Sequence, residues 1–564
     1  MTSSNTTSGD WSSKEYKTSK THEAWWKNKS GYKPLLLLAG AAILIFMVLS
    51  PPPQSLINLV QSKDPAGYKT GRGCQTIIDT VNKKMNSEAF EQAQKYEAQG
   101  KPVPVEVKNE LLNSADVAQM AKIMIGILIL AALFWGTEAL PLGATDIMIA
   151  VLMYLFFILP PNEIAKAYMK DAVIFIFGIL AVAVGVARTG LDKRIGLMLL
   201  SRVKSSKSFC FMFFPLLAIC AGFLSEHALV ALLIPVVMGV YKASCKAHGV
   251  EKDRALAIML LLGLCFAANV GGPGSPAAGG RNAVMVGYLN EMGHPISFAS
   301  WMIRGLPFVP VMAFVVGLYM YLRCKPNFKV PDMNPSQVIK REVANLPKFG
   351  GKELAMAIIL VTMVLMWIFL GKYFDLGGPT LLAVLAMFIC RILSWEDVQK
   401  DVAFDVVGLY AAACAMGAGL KFTGGALWLA QSFVHVLPDF LAQGSGLPVG
   451  VAALTGILTN LMSDGATVSA LGPIVLPMAP LTDIHIWKVG LACAFSSSFA
   501  HCLVVGTPNN AIAFGMGKDP ETGERLLDVM DFIKYGVPLW IICMIVLWLW
   551  TFVGYWTFLS WPVF

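Results

Sequence analysis

The sequence has few charged residues. Only 14% of its 564 residues are Asp, Glu, Lys or Arg, whereas 56% are hydrophobic and the mean hydropathy is +0.62. Soluble domains are about 25% charged and less than half apolar, so this composition excludes a soluble globular protein. The apolar residues form runs long enough for helices of about 20 residues, the length that crosses a bilayer. The sequence therefore predicts an all-α polytopic membrane protein.

Cysteine pairs and catalytic motifs are also missing. The 11 cysteines stand singly between Cys74 and Cys543, without a CxxC pair or a histidine at metal-ligand spacing. The sequence contains no G-x-x-x-x-G-K-[ST] loop and no H-E-x-x-H motif. We therefore expect neither an ATP-driven pump nor an enzyme, and no prosthetic cofactor. The net charge of +8 is typical of basic loops that face the cytoplasm, so we expect membrane lipid and no nucleic acid as a partner.

Apolar runs bounded by charged residues, Gly or Pro predict about eleven transmembrane helices. They cover residues 35–50, 120–139, 144–161, 171–188, 255–290, 301–323, 354–370, 379–394, 404–420, 487–517 and 533–556. Two further runs, 208–241 and 448–481, are interrupted near the middle by polar residues, at 225–227 and 463–465. A helix facing lipid would not tolerate such residues, so we predict that both runs are re-entrant hairpins.

Positive charge predicts the orientation of these segments. Residues 1–34 are polar and carry several lysines without a cleavable signal sequence, so we expect a cytoplasmic N-terminus. If each hairpin enters and leaves on one side, the basic loops 189–207, 242–254 and 324–352 lie inside and residues 421–447 lie outside. The positive-inside rule supports this arrangement, and we expect insertion in the plasma (inner) membrane.

An internal repeat relates the two halves of the chain. Residues 177–190 resemble residues 409–424, and residues 279–287 (GGRNAVMVG) resemble residues 507–515 (TPNNAIAFG), which places Asn282 opposite Asn510. Each half contains an odd number of predicted spans, so the halves form an inverted repeat, the architecture of many secondary transporters. The predicted parts are a cytoplasmic tail (1–34), a first transmembrane helix (35–50), an external insert (51–119), a first repeat (120–323), a cytoplasmic linker (324–353) and a second repeat (354–564).

Two segments inside predicted spans cannot be continuous helix. Residues 269–281 (NVGGPGSPAAGGR) are rich in Gly and Pro, and residues 496–509 (SSSFAHCLVVGTPN) are rich in Ser, Gly and Pro. Non-helical backbone is tolerated at membrane depth where protein or a water-filled cavity satisfies it. Its carbonyl and hydroxyl oxygens suit a small cation, and the N-termini of half-helices suit an anion. The pattern predicts a cation-coupled anion site.

At this point the sequence resembles a known family, the divalent anion:sodium symporters (DASS) of the ion transporter superfamily, which carry dicarboxylates, citrate or sulfate. The resemblance lies in residues 135–155 (WGTEALPLGATDIMIAVLMYL), 188–202 (RTGLDKRIGLMLLSR) and 394–410 (SWEDVQKDVAFDVVGLY). The hairpin tips align with the family's paired Ser-Asn-Thr signatures, and residues 506–510 (GTPNN) with its T-P-P-N turn. The resemblance implies a homodimer in which an elevator-type transport domain slides against a scaffold.

The resemblance also implies binding residues. Sodium ligands are expected among Ser225, Gly271, Thr459, Ser463, Asp464 and Gly506, and substrate ligands among Ser225, Glu226, His227, Arg281, Asn282, Ser463, Asp464, Gly465, Thr507, Pro508 and Asn510. The chain departs from the family here, because both signature amides are acids and both threonines are missing. Arg281 adds a permanent cation. Charge inside a membrane is costly unless it is paired, so we expect these changes to be functional.

Each departure also has a structural interpretation. Glu226 and Asp464 could cap the second helix of each hairpin, although the preceding serine would do so at lower cost. His227 could be a proton carrier near pH 7 or a structural hydrogen-bonding group. We expect Arg281 to pair with Glu226 and to leave Asp464 for Na⁺ or a proton.

The sequence therefore predicts a secondary active transporter of small anions, dicarboxylate-like or sulfate-like, coupled to Na⁺ or H⁺. The alternatives are a zwitterion transporter with the same fold and a transport-inactive relative that senses a ligand.

Overall fold

The computed structural model describes residues 33–62, 76–333, 335–442, 444, 446–519 and 522–562. The predicted cytoplasmic tail lies outside these residues, apart from its last two positions. The described residues form helices and loops and no β-strand. The prediction of an all-α membrane protein is confirmed.

The chain begins with a membrane helix and a small helical insert. Helix Pro34–Leu49 is followed by four short helices, Gln54–Gln61, Ile77–Met85, Ser87–Ala98 and Val105–Glu110. Leu56, Leu59 and Val81 of the insert are buried against Val117 and Leu427. The insert is thus a helical layer packed on the helical body, and its location outside the membrane stays a prediction.

The remaining α-helices surround one continuous apolar core, to which most of them contribute side chains. They are Ser114–Thr137, Leu142–Leu155, Pro161–Tyr168, Asp171–Thr189, Leu191–Leu200, Ser206–Ser208, Phe214–Ala221, Glu226–Ala247, Arg254–Asn269, Gly280–Glu291, Phe298–Gly305, Phe308–Cys324, Ser336–Ala344, Gly351–Phe369, Gly371–Phe374, Gly377–Ile389, Trp395–Asp401, Phe404–Thr423, Gly425–Val436, Asp439–Ala442, Gly446–Leu461, Asp464–Val475, Met478–Leu481, Ile486–Ser496, Pro508–Met516 and Val529–Val546. By length and composition, the described residues contain 8 helices able to cross a membrane, or 9 if a bent pair is one span. Five further apolar helices have 10–17 residues, so the count of about eleven spans stays a prediction.

Both predicted hairpins are helix–turn–helix elements. Hairpin 1 consists of helices Ser206–Ala221 and Glu226–Ala247, and hairpin 2 of helices Gly446–Leu461 and Asp464–Val475. The predicted spans 255–290 and 487–517 are each interrupted, as expected from their Gly, Pro and Ser content. We call residues 270–279 break 1 and residues 497–507 break 2.

The hairpins and broken helices of the two halves pack on one another. Helix Glu226–Ala247 of hairpin 1 packs on Pro508–Met516, which follows break 2, and helix Asp464–Val475 of hairpin 2 packs on Gly280–Glu291, which follows break 1. Helix Phe404–Thr423 lies against the last two. This exchange brings the tip of each hairpin to the broken helix of the opposite half.

Candidate functional site

Serine caps the second helix of each hairpin. The Ser225 hydroxyl accepts a hydrogen bond from the Ala228 N–H at 3.4 Å, and the Ser463 hydroxyl accepts one from the Ala466 N–H at 3.3 Å. Glu226 and Asp464 are the first helical residues after these caps. The capping role is therefore filled, and both carboxylates extend toward the broken helix that carries Arg281.

Arg281 contacts both acids. Its Nη1 atom lies 3.2 Å from Glu226 Oε1 and also contacts Asp464 Oδ2. The side chains of Arg281 and Glu226 are 2% and 3% exposed, and that of Asp464 is 15% exposed. We call Glu226, Arg281 and Asp464 the ion cluster. It joins a hairpin tip from each half through one guanidinium group.

The structure corrects one prediction about this cluster. Glu226 and Arg281 are paired, but Asp464 is not left without a partner, because hairpin 2 packs directly on the helix of Arg281. One guanidinium faces two carboxylates, so the cluster has a formal charge of −1 when both acids are ionised. Several kcal/mol are needed to bury such charges unless they are paired. The cluster is therefore balanced except for one negative charge.

The ion cluster retains unused polar atoms. Arg281 Nε and Nη2, Glu226 Oε2 and the Ser498 hydroxyl are buried and have no hydrogen-bond partner within the described part of the chain. Arg281 Nη2 and Ser498 Oγ both lie beside Gly272, where a Cβ atom would overlap them. The guanidinium thus has donors left for a further acid group.

Asn282 and Asn510 hold the two breaks in the same way. Asn282 Nδ2 donates to the carbonyls of Gly272 and Ser275, both at 2.8 Å. Asn510 Nδ2 donates to the carbonyls of Ala500 and Leu503, at 2.7 and 2.8 Å. Each asparagine thus donates to two carbonyl groups of the unwound backbone, and the Ser275 and Leu503 carbonyls also accept from the Ala278 and Gly506 N–H groups. These two predicted site residues fix the unwound backbone.

His227 contacts the side-chain amide of Asn509, which in turn contacts Asn269. Its Nδ1 atom lies 2.8 Å from Asn509 Oδ1, and Asn509 Nδ2 donates to Asn269 Oδ1 at 2.7 Å. The Asn509 amide therefore links the ring of His227 to the side chain of Asn269. His227 Nε2 lies 4.0 Å from Glu226 Oε1. This geometry favours the structural interpretation of His227.

The predicted sodium ligands lie where each break contacts a hairpin. Gly506 packs on hairpin 2, where a Cβ atom would lie 3.2 Å from the Thr459 carbonyl oxygen, and Gly271 packs on the Ala218 carbonyl of hairpin 1. The Thr459 hydroxyl donates to the Ser497 carbonyl at 2.8 Å. Close packing of unwound backbone brings several oxygen atoms together at each contact. These residues could hold a small cation, and their role as sodium ligands stays a prediction.

The other predicted residues shape the backbone near the cluster. Thr507 is buried and precedes helix Pro508–Met516, which begins with Pro508. Gly465 follows Asp464 and contacts the ring of Tyr410. Asp464 Oδ1 also accepts a hydrogen bond from the Gly465 N–H at 2.6 Å.

Sequence reasoning missed four residues that the structure places at this site: Asn269, Tyr410, Asn460 and Asn509. Asn269 and Asn509 are the first and last residues of the predicted unwound segments, a signal that could have identified them. Asn460 Oδ1 accepts from the Cys502 N–H at 2.7 Å and ties hairpin 2 to break 2. Tyr410 carried no sequence signal, because it lies in an ordinary apolar helix.

These features define a class of protein: a polytopic membrane transporter whose broken helices enclose a buried charged site. The chain belongs to the family described as sodium:sulfate symporter transmembrane region, whose model matches residues 111–562. This match confirms the resemblance seen in the sequence. Members of the family are transporters and not enzymes, as the sequence predicted.

Two relatives agree with this assignment, and a solved structure resembles the chain in fold. The sodium-dependent dicarboxylate transporter SdcS of Staphylococcus saprophyticus is 27% identical over 439 residues, 72% of this chain and 82% of that protein. The sodium-dependent high-affinity dicarboxylate transporter 3 of Caenorhabditis elegans is 27% identical over 438 residues, 68% of this chain and 76% of that protein. The structure of MtrF from Neisseria gonorrhoeae matches with a TM-score of 0.50 and 16% identity, over 71% of this chain and 85% of that chain. The last likeness concerns the fold alone.

Proposed function

We propose that this protein is a secondary active transporter of small divalent anions, dicarboxylate-like or sulfate-like, with Na⁺ as the coupling ion. The family is described by sodium:sulfate symport, and two relatives are named as sodium-dependent dicarboxylate transporters. The single observation that carries the proposal is Arg281, buried between Glu226 and Asp464 at the meeting point of both hairpin tips. A permanent cation at this depth is a ready partner for an acid group.

The ion cluster supports a coupling step by exchange of partners. A substrate acid group binds Arg281 through the unused donors Nε and Nη2 and then competes with the two carboxylates for its single positive charge. Asp464 is more exposed than Glu226, so Asp464 is the carboxylate that the substrate displaces. A displaced Asp464 beside an anion would repel it. Binding of Na⁺, or of a proton, to Asp464 removes this repulsion and couples the two movements.

The remaining finer features are part of the same proposal. The hairpins and broken helices form the moving part of an elevator-type mechanism, and helices such as Phe404–Thr423 form the scaffold. The protein is a homodimer in the plasma (inner) membrane with its N-terminus in the cytoplasm. Two halves that are inverted relative to each other allow the site to open to either side. Support comes from the direct packing of Phe404–Thr423 on hairpin 2, through helix Asp464–Val475, and on the broken-helix element Gly280–Glu291.

Uptake into proteoliposomes tests the proposal. The panel contains labelled succinate, sulfate, taurine and amino acids, with imposed gradients of Na⁺, of H⁺ or of neither. We expect concentrative uptake of a divalent anion under a Na⁺ gradient, and loss of uptake in Arg281→Gln. The matched control is Lys400→Gln, an exposed residue that pairs with Glu396.

Two results would contradict anion symport. Uptake of zwitterions alone, abolished by Asp464→Asn, would favour the zwitterion transporter. Ligand-induced thermal stabilisation without uptake of any solute would favour a ligand-sensing relative.

A further inference from the structure

Tyr410 belongs to the helix that faces the ion cluster, and its side chain lies beside the cluster. Its helix, Phe404–Thr423, packs on Gly280–Glu291 and on Asp464–Val475, and the residue is 5% exposed. The ring contacts Gly280, which precedes Arg281, and Gly465, which follows Asp464. Tyr410 thus touches the backbone beside both members of the Arg281–Asp464 pair without belonging to the cluster.

The ring requires glycine at both contacts. A Cβ atom on Gly465 would lie 2.6 Å from the Tyr410 hydroxyl oxygen, but 3.2 and 3.3 Å from the ring atoms Cε1 and Cζ. A Cβ atom on Gly280 would overlap ring carbons as well as the hydroxyl group. Neither glycine has a positive φ. Close approach of the ring, and not backbone conformation, is therefore what excludes a side chain at these positions.

Little space remains beside the ring. A cavity of about 40 Å³ lies between Tyr410, Val406 and residues of helix Asp171–Thr189 on one side, and residues 276–283 on the other. Since an apolar cavity of about 150 Å³ is needed to hold a molecule the size of benzene, a dicarboxylate does not fit there. An anion that reaches Arg281 from this side must lie against the Tyr410 ring or displace it.

We propose that Tyr410 is a specificity-determining residue, which closes the anion site on the side of helix Phe404–Thr423 and limits the length of the anion that fits against Arg281. The inference rests on the proposed transport of anions. Arg281 holds one acid group, and the rest of the anion extends toward the ring. A smaller side chain at position 410 leaves room for a longer anion.

Uptake of unbranched dicarboxylates from malonate to adipate tests this role. We expect Tyr410→Ala to shift the preferred acid by about one methylene group or more toward longer chains, seen as a changed ratio of kcat/KM values. Tyr410→Phe keeps the ring and should keep the wild-type preference. The control is Tyr288→Phe, because the Tyr288 hydroxyl donates to the carbonyls of Ala413 and Ser469 and is not placed at the anion site. An unchanged preference in a Tyr410→Ala variant that still transports would overturn the proposal.

A second measurement does not depend on transport. Thermal unfolding is compared for Gly465→Ala and Gly280→Ala, each alone and combined with Tyr410→Phe. We expect both single variants to unfold several degrees lower, because the new Cβ atom meets the ring. Tyr410→Phe removes the oxygen that obstructs position 465, so it should restore Gly465→Ala. It leaves the ring carbons that obstruct position 280, so only Tyr410→Ala should restore Gly280→Ala. Restoration of both glycine variants by Tyr410→Phe, or of neither, would contradict the geometry.

The two measurements separate the possible failures. If the unfolding pattern holds but the wild-type protein takes up no dicarboxylate, the proposed function is wrong and the specificity role is lost with it. If the wild-type protein transports dicarboxylates and Tyr410→Ala leaves the length preference unchanged, the proposal for Tyr410 alone is wrong.

Discussion

The two breaks have a similar backbone arrangement, but the side chains that follow them differ in chemistry. At each break, an asparagine amide in the first turn of the following helix donates to two carbonyls of the unwound segment, Asn282 after break 1 and Asn510 after break 2. The preceding residue is Arg281 in one and Asn509 in the other. Arg281 contacts two carboxylates, whereas Asn509 contacts His227 and Asn269.

The asparagine and the residue before it therefore have different roles. The asparagine keeps the unwound carbonyls satisfied at membrane depth, so it is tied to the fold. The residue before the asparagine, Arg281 or Asn509, contacts a hairpin tip instead. Its side chain can therefore differ between the two halves according to the ligand that is bound there. The helix after break 1 carries a charge, Arg281, that the helix after break 2 lacks at the corresponding position, and the acids of both hairpin tips contact this charge.

The largest expected effect is that of Arg281→Gln. It leaves Glu226 and Asp464 buried without a cation, which costs about 3–5 kcal/mol of stability and abolishes uptake. The triple variant Glu226→Gln, Arg281→Gln, Asp464→Asn removes all three charges and should recover most of the stability without transport. Thermal unfolding in detergent and proteoliposome uptake measure the two effects. A stable, transporting Arg281→Gln protein would show that the charge of Arg281 has no role.

The two acids of the cluster should differ. Asp464→Asn should keep substrate binding but uncouple uptake from the ion gradient, because a neutral amide needs no cation when Arg281 turns to the substrate. Glu226→Gln should remain gradient-driven, because Glu226 is the more buried partner. Uptake with and without a Na⁺ gradient, together with ligand-induced thermal shifts, measures both properties. Equal behaviour of the two variants would refute exchange of partners at Asp464.

The two asparagines should be equivalent. Asn282→Ala removes the side-chain donor of the Gly272 carbonyl and Asn510→Ala that of the Ala500 carbonyl, and each should lower the free energy of unfolding by about 1–3 kcal/mol. The control is Asn327→Ala, an exposed residue whose side chain donates to the Arg323 carbonyl, for which we expect a change within about 0.5 kcal/mol. If only one of the two site variants were destabilised, the common role of the asparagines would be wrong.

The sequence predicted the position of the breaks and the hairpins better than their contacts. Gly, Pro and Ser inside apolar runs disfavour a continuous helix. The sequence alone therefore identified residues 269–281 and 496–509 as unwound segments. The Arg281–Glu226 pair followed from charge, since a buried arginine needs a carboxylate.

Contacts that depend on tertiary packing could not be predicted in this way. Asp464 meets Arg281 because hairpin 2 packs on the broken helix of the other half, which no local pattern encodes. Tyr410 fits only because two glycines distant in sequence lie on either side of its ring. The inverted relation of the halves stays a prediction, although Gly190 and Gly424 end corresponding helices with φ values of 74° and 83°.

The smallest expected effect concerns an ion pair that joins the halves at the end of the predicted span 171–188. Asp397 accepts hydrogen bonds from the Ser394 N–H, and its Oδ1 lies 2.6 Å from Arg188 Nη2. The Ser394 backbone N–H first, then the Ser394 hydroxyl and Arg188, hold the pKa of Asp397 below its ordinary value. A lowered carboxyl pKa stabilises the fold fully above the ordinary value of about 4, and this contribution is lost as the pH falls through the folded-state value. Asp397→Asn should therefore unfold slightly below the wild type at pH 7, and the difference should shrink below about pH 4. Melting temperatures across this range measure it, and a difference that grew on acidification would contradict the assignment.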